Sequence, residues 1–290
     1  MFFRGMDMNS LKLKEMLTQF FHEDIGDGDI SSELIFSARD EGTYTLMAKE
    51  NGIFCGSLII QEGFLTYDRT LQVELLKQDG ETLQKGDVIA QIHGSVRSLL
   101  SAERVVLNLI QRMSAIATMT QKAVAKTAGT RAKICDTRKT MPGLRMLDKY
   151  AVRVGGAYNH RSGLYDAIML KDNHIAFAGS ITNAVAQVKE RIGHTVKIEV
   201  EIETKAQLQE AIAANVDIIM FDNRTPDEIR DWLPLVPAHM TTEASGGITL
   251  DCIAEYAQSG VAWISLGQLT HSVEAFDISA RVDVKGAIVQ

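Results

Sequence analysis

The period of the hydrophobic positions changes near residue 100. Before it, short alternating runs predict strands of a small α+β unit, in "GTYTLMAKENGIFCG" from Gly42 and "VELLKQDGETLQKGDVIAQIHG" from Val73, separated by glycine-rich turns. Between Ser101 and Ala128 the apolar residues recur every three to four positions, which predicts one long amphipathic helix that ends at Gly129. Its buried face is expected to carry Val105, Leu109, Met113, Ile116 and Ala123.

Beyond Gly129 the pattern predicts strands that alternate with helices. The predicted strands are Lys133–Arg138, Asp166–Lys171, Val196–Ile202, Val216–Asp222, His239–Ala244 and Ala262–Gly267. Two of the helices begin with capping boxes, Thr204 with Gln207 and Thr225 with Glu228. Alternation at this spacing predicts a parallel sheet covered by helices. Because six strands are fewer than the eight of a complete barrel, we expect an incomplete (β/α) barrel, with an open doubly wound sheet as the alternative.

Composition narrows the possible classes of protein. The chain has 290 residues, is 46% hydrophobic and carries a net charge of −7, which is typical of a globular protein and argues against nucleic acid or a membrane surface as a partner. No secretory signal and no apolar run of ~18 residues is found, so we expect a cytoplasmic protein without a membrane-spanning helix. Cys55, Cys135 and Cys252 lack metal or redox spacing and are expected to be reduced.

The third predicted strand, "TVKIEVEIE", has two chemically different faces. One face carries Val196, Ile198, Val200 and Ile202, and the other carries Lys197, Glu199, Glu201 and Glu203. In a barrel strand covered by helices the apolar face points to the helices, so the carboxylates point inward. Buried carboxylates need cations or a metal to offset desolvation. We expect Glu203, nearest the strand end, to be solvated.

Polar residues follow the ends of the predicted strands, where (β/α) proteins carry their chemistry. They are Arg138 and Lys139, Lys171 and Asp172, Asp222 and Asn223, "SGG" at Ser245–Gly247, and Gly267. One basic residue after a strand is more often a solvated loop residue, so the prediction depends on their convergence. Guanidinium groups grip carboxylates, backbone N–H groups of a glycine-rich helix start hold phosphate, and paired carboxylates hold Mg²⁺. The set predicts a dianionic small molecule together with a phosphorylated, metal-bound substrate.

These residues also carry a family resemblance. The segments "DTRKTMPGLRMLDKYAVRVGGAYNHRSGLYDAIMLKDNHI", "EVEIET", "FDN", "EASGGIT" and "SLGQLTHS" resemble quinolinate phosphoribosyltransferase, in the same order along nearly the whole chain. The resemblance implies transfer of phosphoribosyl from 5-phosphoribosyl-1-pyrophosphate to quinolinate, with Mg²⁺ and with decarboxylation. The products are nicotinate mononucleotide, pyrophosphate and CO₂, in de novo NAD biosynthesis. Ala157 stands where the family more often has a third glycine.

The resemblance also implies a domain division and a role for each polar position. An α/β open-faced sandwich domain is expected over 1–128 with the tail 275–290, and an incomplete barrel over 129–274. The quinolinate carboxylates are expected to be held by Arg138, His160, Arg161 and Lys171. Lys139 is expected near the reacting centre, as candidate proton donor, and Arg104 is expected to reach in from the partner of a homodimer.

The remaining implied roles concern phosphoribosyl pyrophosphate. Glu201 and Asp222 are expected to face the ribose hydroxyls and Mg²⁺ and, with Lys139, to be catalytic. The 5′-phosphate is expected against Ser245, Gly246, Gly247 and Gly267, with His271 close by.

Three alternatives stay open from the sequence. A relative encoded with molybdate transport resembles this chain but lacks "LKDNH", which begins here at Leu170. A barrel aldolase or lyase would use Lys139 or Lys171 as a Schiff base. A sensor would bind pyridine carboxylates without turnover.

Overall fold

The computed structural model describes residues 8–283. Two compact units divide this part of the chain, one made of 8–119, 146–155 and 273–283, the other of 120–145 and 156–272. The predicted domain ranges, 1–128 with 275–290 and 129–274, stay a prediction, and 1–7 and 284–290 lie outside the described residues. Three short stretches differ from the predicted ranges: residues 120–128 belong to the second unit, whereas 146–155 and 273–274 belong to the first.

The first unit contains a four-stranded antiparallel sheet with the order β12-β1-β5-β3. Helices α1 and α3 pack against each other, and α3 also contacts β3. The core of the unit contains the fully buried side chains of Leu46, Phe64 and Ile92. Its elements are α1 Ser10–Ile25, α2 Ile30–Ile35, β1 Glu41–Ala48, β2 Gly52–Ile53, α3 Ser57–Tyr67, β3 Gln72–Leu75, β4 Thr82–Leu83, β5 Val88–Ser95, most of α4 Val96–Lys126, α5 Arg145–Val154 and β12 Ile278–Asp283.

The long helix is α4, and the side chains predicted to be buried are buried, each at most 7% exposed. It begins at Val96, before the predicted Ser101, because the buried Leu99 continues the apolar face toward the N-terminus. Within the first unit α4 is tied to α5 by a buried ion pair. The Arg112 guanidinium donates to both oxygens of Asp148, at 2.8 Å each, and Asp148 is fully buried. This pair explains why α5 belongs to the first unit.

The second unit contains six parallel strands in the order β6-β11-β10-β9-β8-β7. All six predicted strands are present, each shorter than predicted, and no pairing within residues 8–283 joins the end strands β6 and β7. The expected α/β fold with an incomplete barrel is therefore confirmed. The elements are β6 Lys133–Cys135, β7 Ile168–Leu170, α6 Asp172–Ala178, α7 Ile181–Lys189, β8 Ile198–Ile202, α8 Lys205–Ala213, β9 Ile218–Asp222, α9 Pro226–Trp232, β10 Thr241–Ser245, α10 Ile253–Gln258, β11 Trp263–Ser265 and α11 Gln268–His271.

The local sequence explains how these elements begin. Both predicted capping boxes are present, because Thr204 accepts from Gln207 N and Thr225 accepts from Glu228 N at the starts of α8 and α9. On β8 the side chains of Ile198, Val200 and Ile202 are buried as predicted. The predicted start of that strand at Val196 is wrong: Val196 is 36% exposed and precedes β8.

The cysteines and the helices bear on two expectations drawn from composition. All three cysteines are free, with Cys55 and Cys135 buried and Cys252 partly exposed. No helix in the described range 8–283 has both the length and the apolar character needed to cross a bilayer.

Candidate active site

The second unit holds a cavity of about 840 Å³ at the carboxyl ends of its parallel strands. The structure brings together there every predicted site residue of this unit. They are Arg138, Lys139, His160, Arg161, Lys171, Glu201, Asp222, Ser245, Gly246, Gly247, Gly267 and His271. Arg104 belongs to α4 in the first unit and does not line this cavity; its side chain is exposed and lies 3.9 Å from Glu103. Its role across a subunit interface stays a prediction.

One wall of the cavity is strongly cationic. The Arg138 Nε is buried and has no hydrogen-bond partner in the described part of the chain. The Arg161 guanidinium donates to the carbonyl of Ala167 at 3.1 Å. Burial and the neighbouring Arg138 charge lower the pKa of Arg161. Two crowded guanidinium groups, one with an unused donor, suit an anion with more than one carboxylate.

At the edge of the cavity Lys171 and Glu201 form an ion pair, here called the rim pair. The lysine is 41% exposed and the glutamate 13%. Burial raises the pKa of Glu201, and the charges of Asp222 and Glu199 add to the rise, whereas Lys171 opposes it. The backbone of Lys171 is fixed at the start of α6, where its N–H donates to Nδ1 of His174 at 3.1 Å. The segment "LKDNH" therefore sets the position of this lysine.

Two buried carboxylates, Glu199 and Glu243, and the partly buried His160 form a group here called the floor cluster. The His160 Nε2 lies 3.1 Å from Oε2 of Glu199 and 3.6 Å from Oε1 of Glu243. The other ring nitrogen, Nδ1, accepts from the N–H of Arg161 at 2.9 Å. Burial, followed by the charge of Glu199, raises the pKa of Glu243 to about 7. Both ring nitrogens of His160 are thus engaged by the protein.

The loop that carries His160 is anchored from β6. A parallel bridge joins Cys135 to Tyr158, and the next residue after Cys135, Asp136, is fully buried. Its carboxylate accepts from the His160 N–H at 2.8 Å and from Asn159 Nδ2 at 2.7 Å. Hydrogen bonds to a charged acceptor are among the stronger ones. The "NHR" turn is therefore held by a buried aspartate that was not assigned a role from the sequence.

The glycine-rich turn after β10 closes against the loop after β9. Gly246 has φ +90°, and a Cβ there would lie 2.2 Å from Oδ1 of Asn223, so only glycine fits. The Asn223 N–H donates to the carbonyl of Ser245 at 2.9 Å. The prediction that a helix starts directly after this turn is wrong, because α10 begins only at Ile253. The N–H groups of the turn are presented by its positive φ angles and not by a helix end.

Gly267 permits a second close approach. A Cβ at this position would lie 2.9 Å from Cδ of Lys139 and 3.0 Å from Cδ2 of His271. The hydroxyl of Thr270 donates to the carbonyl of Lys139 at 2.8 Å. The start of α11 thus fixes the backbone and the stem of Lys139 beside His271.

Several cavity residues were not found from the sequence. They are Thr137, Met169, Met220, Ile248, Thr249, Ser265, Gln268 and Ser272. Glu243, in the floor cluster, was missed as well. A signal for it exists, because it lies two residues before Ser245 on the same strand and alternate residues share a face. Glu203, expected to be solvated, is exposed.

Comparison with known proteins identifies the family. The family model of the quinolinate phosphoribosyl transferase C-terminal domain matches residues 116–281, and that of the N-terminal domain matches 29–114. This chain belongs to the quinolinate phosphoribosyltransferase family. The predicted family and function, a decarboxylating quinolinate phosphoribosyltransferase of NAD biosynthesis, are confirmed.

Individual members of this family are similar to this chain over nearly all of its length. A probable nicotinate-nucleotide pyrophosphorylase (carboxylating) of Bacillus subtilis is 56% identical over 283 residues, which cover 98% of each chain. The chloroplastic enzyme of that name from Oryza sativa is 40% identical and covers 95% of this chain, with 79% of its own length matched. The crystal structure of NadC from Streptococcus pyogenes is 40% identical, covers 96% of this chain and 98% of its own, and has a TM-score of 0.91.

Proposed function

We propose that the cavity of the second unit is the site at which quinolinate is joined to phosphoribosyl pyrophosphate, with release of pyrophosphate and CO₂. The observation that carries this proposal is the convergence of two guanidinium groups, two lysines, two carboxylates and a glycine-rich turn in one cavity. Each group matches one demand of the reaction: cations for two carboxylates, acidic groups for a ribose and a metal, and N–H donors for a phosphate.

Quinolinate is a dicarboxylate, and the cationic wall supplies its counter-charges. Arg138 has a buried Nε without an acceptor in the described residues, so a ligand carboxylate would satisfy it. Arg161 lies beside it, and Lys171 is half exposed at the rim. His160, predicted with these cations, already has both ring nitrogens engaged, and we assign it a different role below.

Phosphoribosyl pyrophosphate is proposed to occupy the other half of the cavity. Its 5′-phosphate would lie against Ser245, Gly246, Gly247 and Gly267, near His271. Backbone N–H groups in turns with positive φ form concave anion sites, and Gly246 and Gly247 have φ +90° and +64°. The ribose hydroxyls would then face Glu201 and Asp222.

Mg²⁺ is proposed at Glu201 and Asp222. The negative charge of Asp222 contributes to raising the pKa of Glu201, so the two carboxylates repel each other and a cation between them would relieve the repulsion. Mg²⁺ prefers one or two carboxylates plus substrate phosphates, and Glu201 and Asp222 would supply the carboxylates while the pyrophosphate of the substrate would supply the rest. When bound, the ion supplies positive charge that neutralises the departing pyrophosphate.

The chain's own residues account for the remaining steps. As the bond from ribose C1 to pyrophosphate breaks, positive charge develops on the ribose, and the Glu201 and Asp222 carboxylates stabilise it while the pyridine nitrogen bonds to C1. The alkylated ring then retains the electron pair of the bond to the 2-carboxylate, and CO₂ leaves. The carbon left behind takes a proton, for which Lys139, held by Thr270 and packed on Gly267, is the proposed donor.

The proposal is tested by turnover. The purified chain is incubated with quinolinate, phosphoribosyl pyrophosphate and Mg²⁺, nicotinate mononucleotide is followed by mass spectrometry and CO₂ is measured in parallel. We expect equal amounts of both products from quinolinate and none from nicotinate, because the cationic wall selects a dicarboxylate. Quinolinate binding without either product would contradict the proposal and favour a sensor.

We propose further that the chain is a homodimer in which Arg104 of one subunit completes the cavity of the other. Arg104→Ala and Glu201→Ala should each be almost inactive, whereas mixed dimers of the two variants should regain part of the activity, because one cavity is then intact. Differently tagged subunits purified as mixed dimers provide the measurement. Mixed dimers without activity would contradict the role of Arg104.

A further inference from the structure

The floor cluster joins three elements that are distant in sequence. Glu199 lies on β8, Glu243 on β10 and His160 in the loop after the Tyr158 bridge, with β9 between the two glutamate strands. Both glutamates are almost completely buried, 3% and 4% exposed. Two carboxylates buried together cost free energy unless a donor lies between them. The Nε2 of His160 lies 3.1 Å from Glu199 and 3.6 Å from Oε1 of Glu243, which has no hydrogen-bond partner among the described residues.

Hydrogen bonding at the ring assigns its tautomer. Because Nδ1 accepts from the Arg161 N–H at 2.9 Å, the proton of the neutral ring lies on Nε2 and points at Glu199, 3.1 Å away. In this arrangement neither ring nitrogen has a proton to donate to a substrate carboxylate. The chemistry of His160 is therefore directed inward, toward the protein.

We propose that Glu199 is a positioning residue of the phosphoribosyl transfer, which holds the His160 ring and through it the Arg161 guanidinium that faces the dicarboxylate. The inference deepens the proposed function and rests on it. Its structural basis is that the backbone around His160 is fixed on both sides: the His160 N–H donates to Asp136 at 2.8 Å, and the Arg161 N–H donates to the ring at 2.9 Å. If the ring turned, the backbone that places Arg161 would lose one of these two bonds.

The same three residues offer one ligand atom each within 4.8 Å, which is also the arrangement of a possible metal site. The hydrogen bond at Nδ1 argues against a metal. A histidine that binds a metal through Nε2 carries its proton on Nδ1 and donates it to an acceptor. Here the partner of Nδ1 is the N–H of Arg161, which is a donor. With a metal at Nε2, the proton on Nδ1 would point at the proton of this N–H. The arrangement instead favours a hydrogen-bonded cluster.

A double-mutant cycle tests the proposal on the full chain. We compare His160→Ala, Glu199→Ala and the double variant, with Glu203→Ala, at the exposed residue that directly follows β8, as the matched control. Each single variant should raise the KM for quinolinate about tenfold, and the double variant should raise it by the same factor, because the two residues act as one unit. The KM for phosphoribosyl pyrophosphate should stay within about twofold. Glu199→Gln, which keeps an acceptor for Nε2–H, should restore most of the quinolinate affinity.

The variants can also show that Glu199 does not position His160. The proposal would be overturned if Glu199→Ala left the KM for quinolinate unchanged. It would also be overturned if the double variant raised this KM by the product of the two single effects, because His160 would then act as an independent ligand. If the alanine variants do not fold, ¹⁵N NMR of the wild-type chain, with the His160 signals assigned through His160→Gln, still tests it: we expect the Nε2–H tautomer, and the Nδ1–H tautomer would overturn the proposal. A wild-type chain that neither binds nor converts quinolinate would instead overturn the proposed function itself.

Discussion

The floor cluster and the rim pair begin from the same strand and differ in exposure. Glu199 and Glu201 lie two residues apart on β8, on the same face, and each contacts a basic side chain. The partner of Glu199 is His160, which is 12% exposed, whereas the partner of Glu201 is a lysine that is 41% exposed. A buried pair cannot exchange its partner for water, so it fixes geometry, and an exposed pair can exchange its partner for a ligand. We therefore expect the floor cluster to orient the cavity residues and the rim pair to contact the substrates.

The largest expected effect is a loss of activity on substitution of Glu201 in the rim pair. Glu201→Ala should lower kcat/KM about 10²–10³-fold, because it removes a carboxylate aimed at the charge that develops on the ribose. Nicotinate mononucleotide formation under saturating Mg²⁺ measures this change. Glu203→Ala is the control and should have wild-type activity. A loss of less than about tenfold would contradict the catalytic role of Glu201.

The second expected effect is on stability and comes from the floor. Glu199→Ala should lower the free energy of unfolding by about 3 kcal/mol, since it leaves buried polar groups without their partner. Glu201→Ala should lower it by about 1 kcal/mol or less, because the rim lysine is solvated. Urea titration followed by tryptophan fluorescence suits this test, as both tryptophans, Trp232 and Trp263, lie in the second unit. Equal losses in the two variants would remove the distinction between floor and rim.

The third expected effect is on the pH dependence of stability. The pKa of Glu243 is raised to about 7 in the folded chain, above its ordinary value, so the folded state holds its proton longer than the unfolded state does. The stabilisation is complete below the ordinary pKa of glutamate, ~4.3, and is lost as the pH rises toward 7. Glu243→Gln should therefore flatten the fall in stability between about pH 4.5 and 7.

Urea midpoints measured across this range provide the test for Glu243. Glu201→Gln is the comparison, because Lys171 opposes the rise in the pKa of Glu201, and it should change the slope less. An unchanged slope in Glu243→Gln would show that another group holds the proton.

The smallest expected effect concerns the stability of the rim pair itself. Lys171→Gln should change the free energy of unfolding by less than ~1 kcal/mol, and this small difference should fall further at high salt, because exposed charges are screened. The same variant should bind quinolinate more weakly, as it removes a cation from the cavity. A salt-independent loss of several kcal/mol would indicate that the rim pair is structural.

The sequence predicted the parts of the fold that depend on local patterns. Each of these parts depends on residues that are close together in the sequence. They are the capping boxes at Thr204 and Thr225, the buried face of α4 and the inward carboxylates of β8. The predicted site residues were found because they follow strand ends, and parallel strands bring their carboxyl ends to one edge.

Features that depend on distant residues were missed. The role of α5 in the first unit depends on Arg112 meeting Asp148, and the state of His160 depends on two glutamates from strands separated by β9. No local pattern specifies which buried groups will share a proton, since that is decided by tertiary packing. His160 was expected at the ligand and does line the cavity, but the contact of its Nε2 with Glu199 was not foreseen.

The order of strands in the first unit has a consequence for how the protein is made. β1 is formed from residues 41–48, but its neighbour β12 is formed from residues 278–283. Because the ribosome synthesises the chain from the N-terminus, one edge of β1 stays unpaired until the second unit and then β12 have been synthesised. Open edges pair readily with other chains. The first unit therefore begins to fold first but is completed last. We expect the chain to need a chaperone most during the interval in which β1 lacks β12.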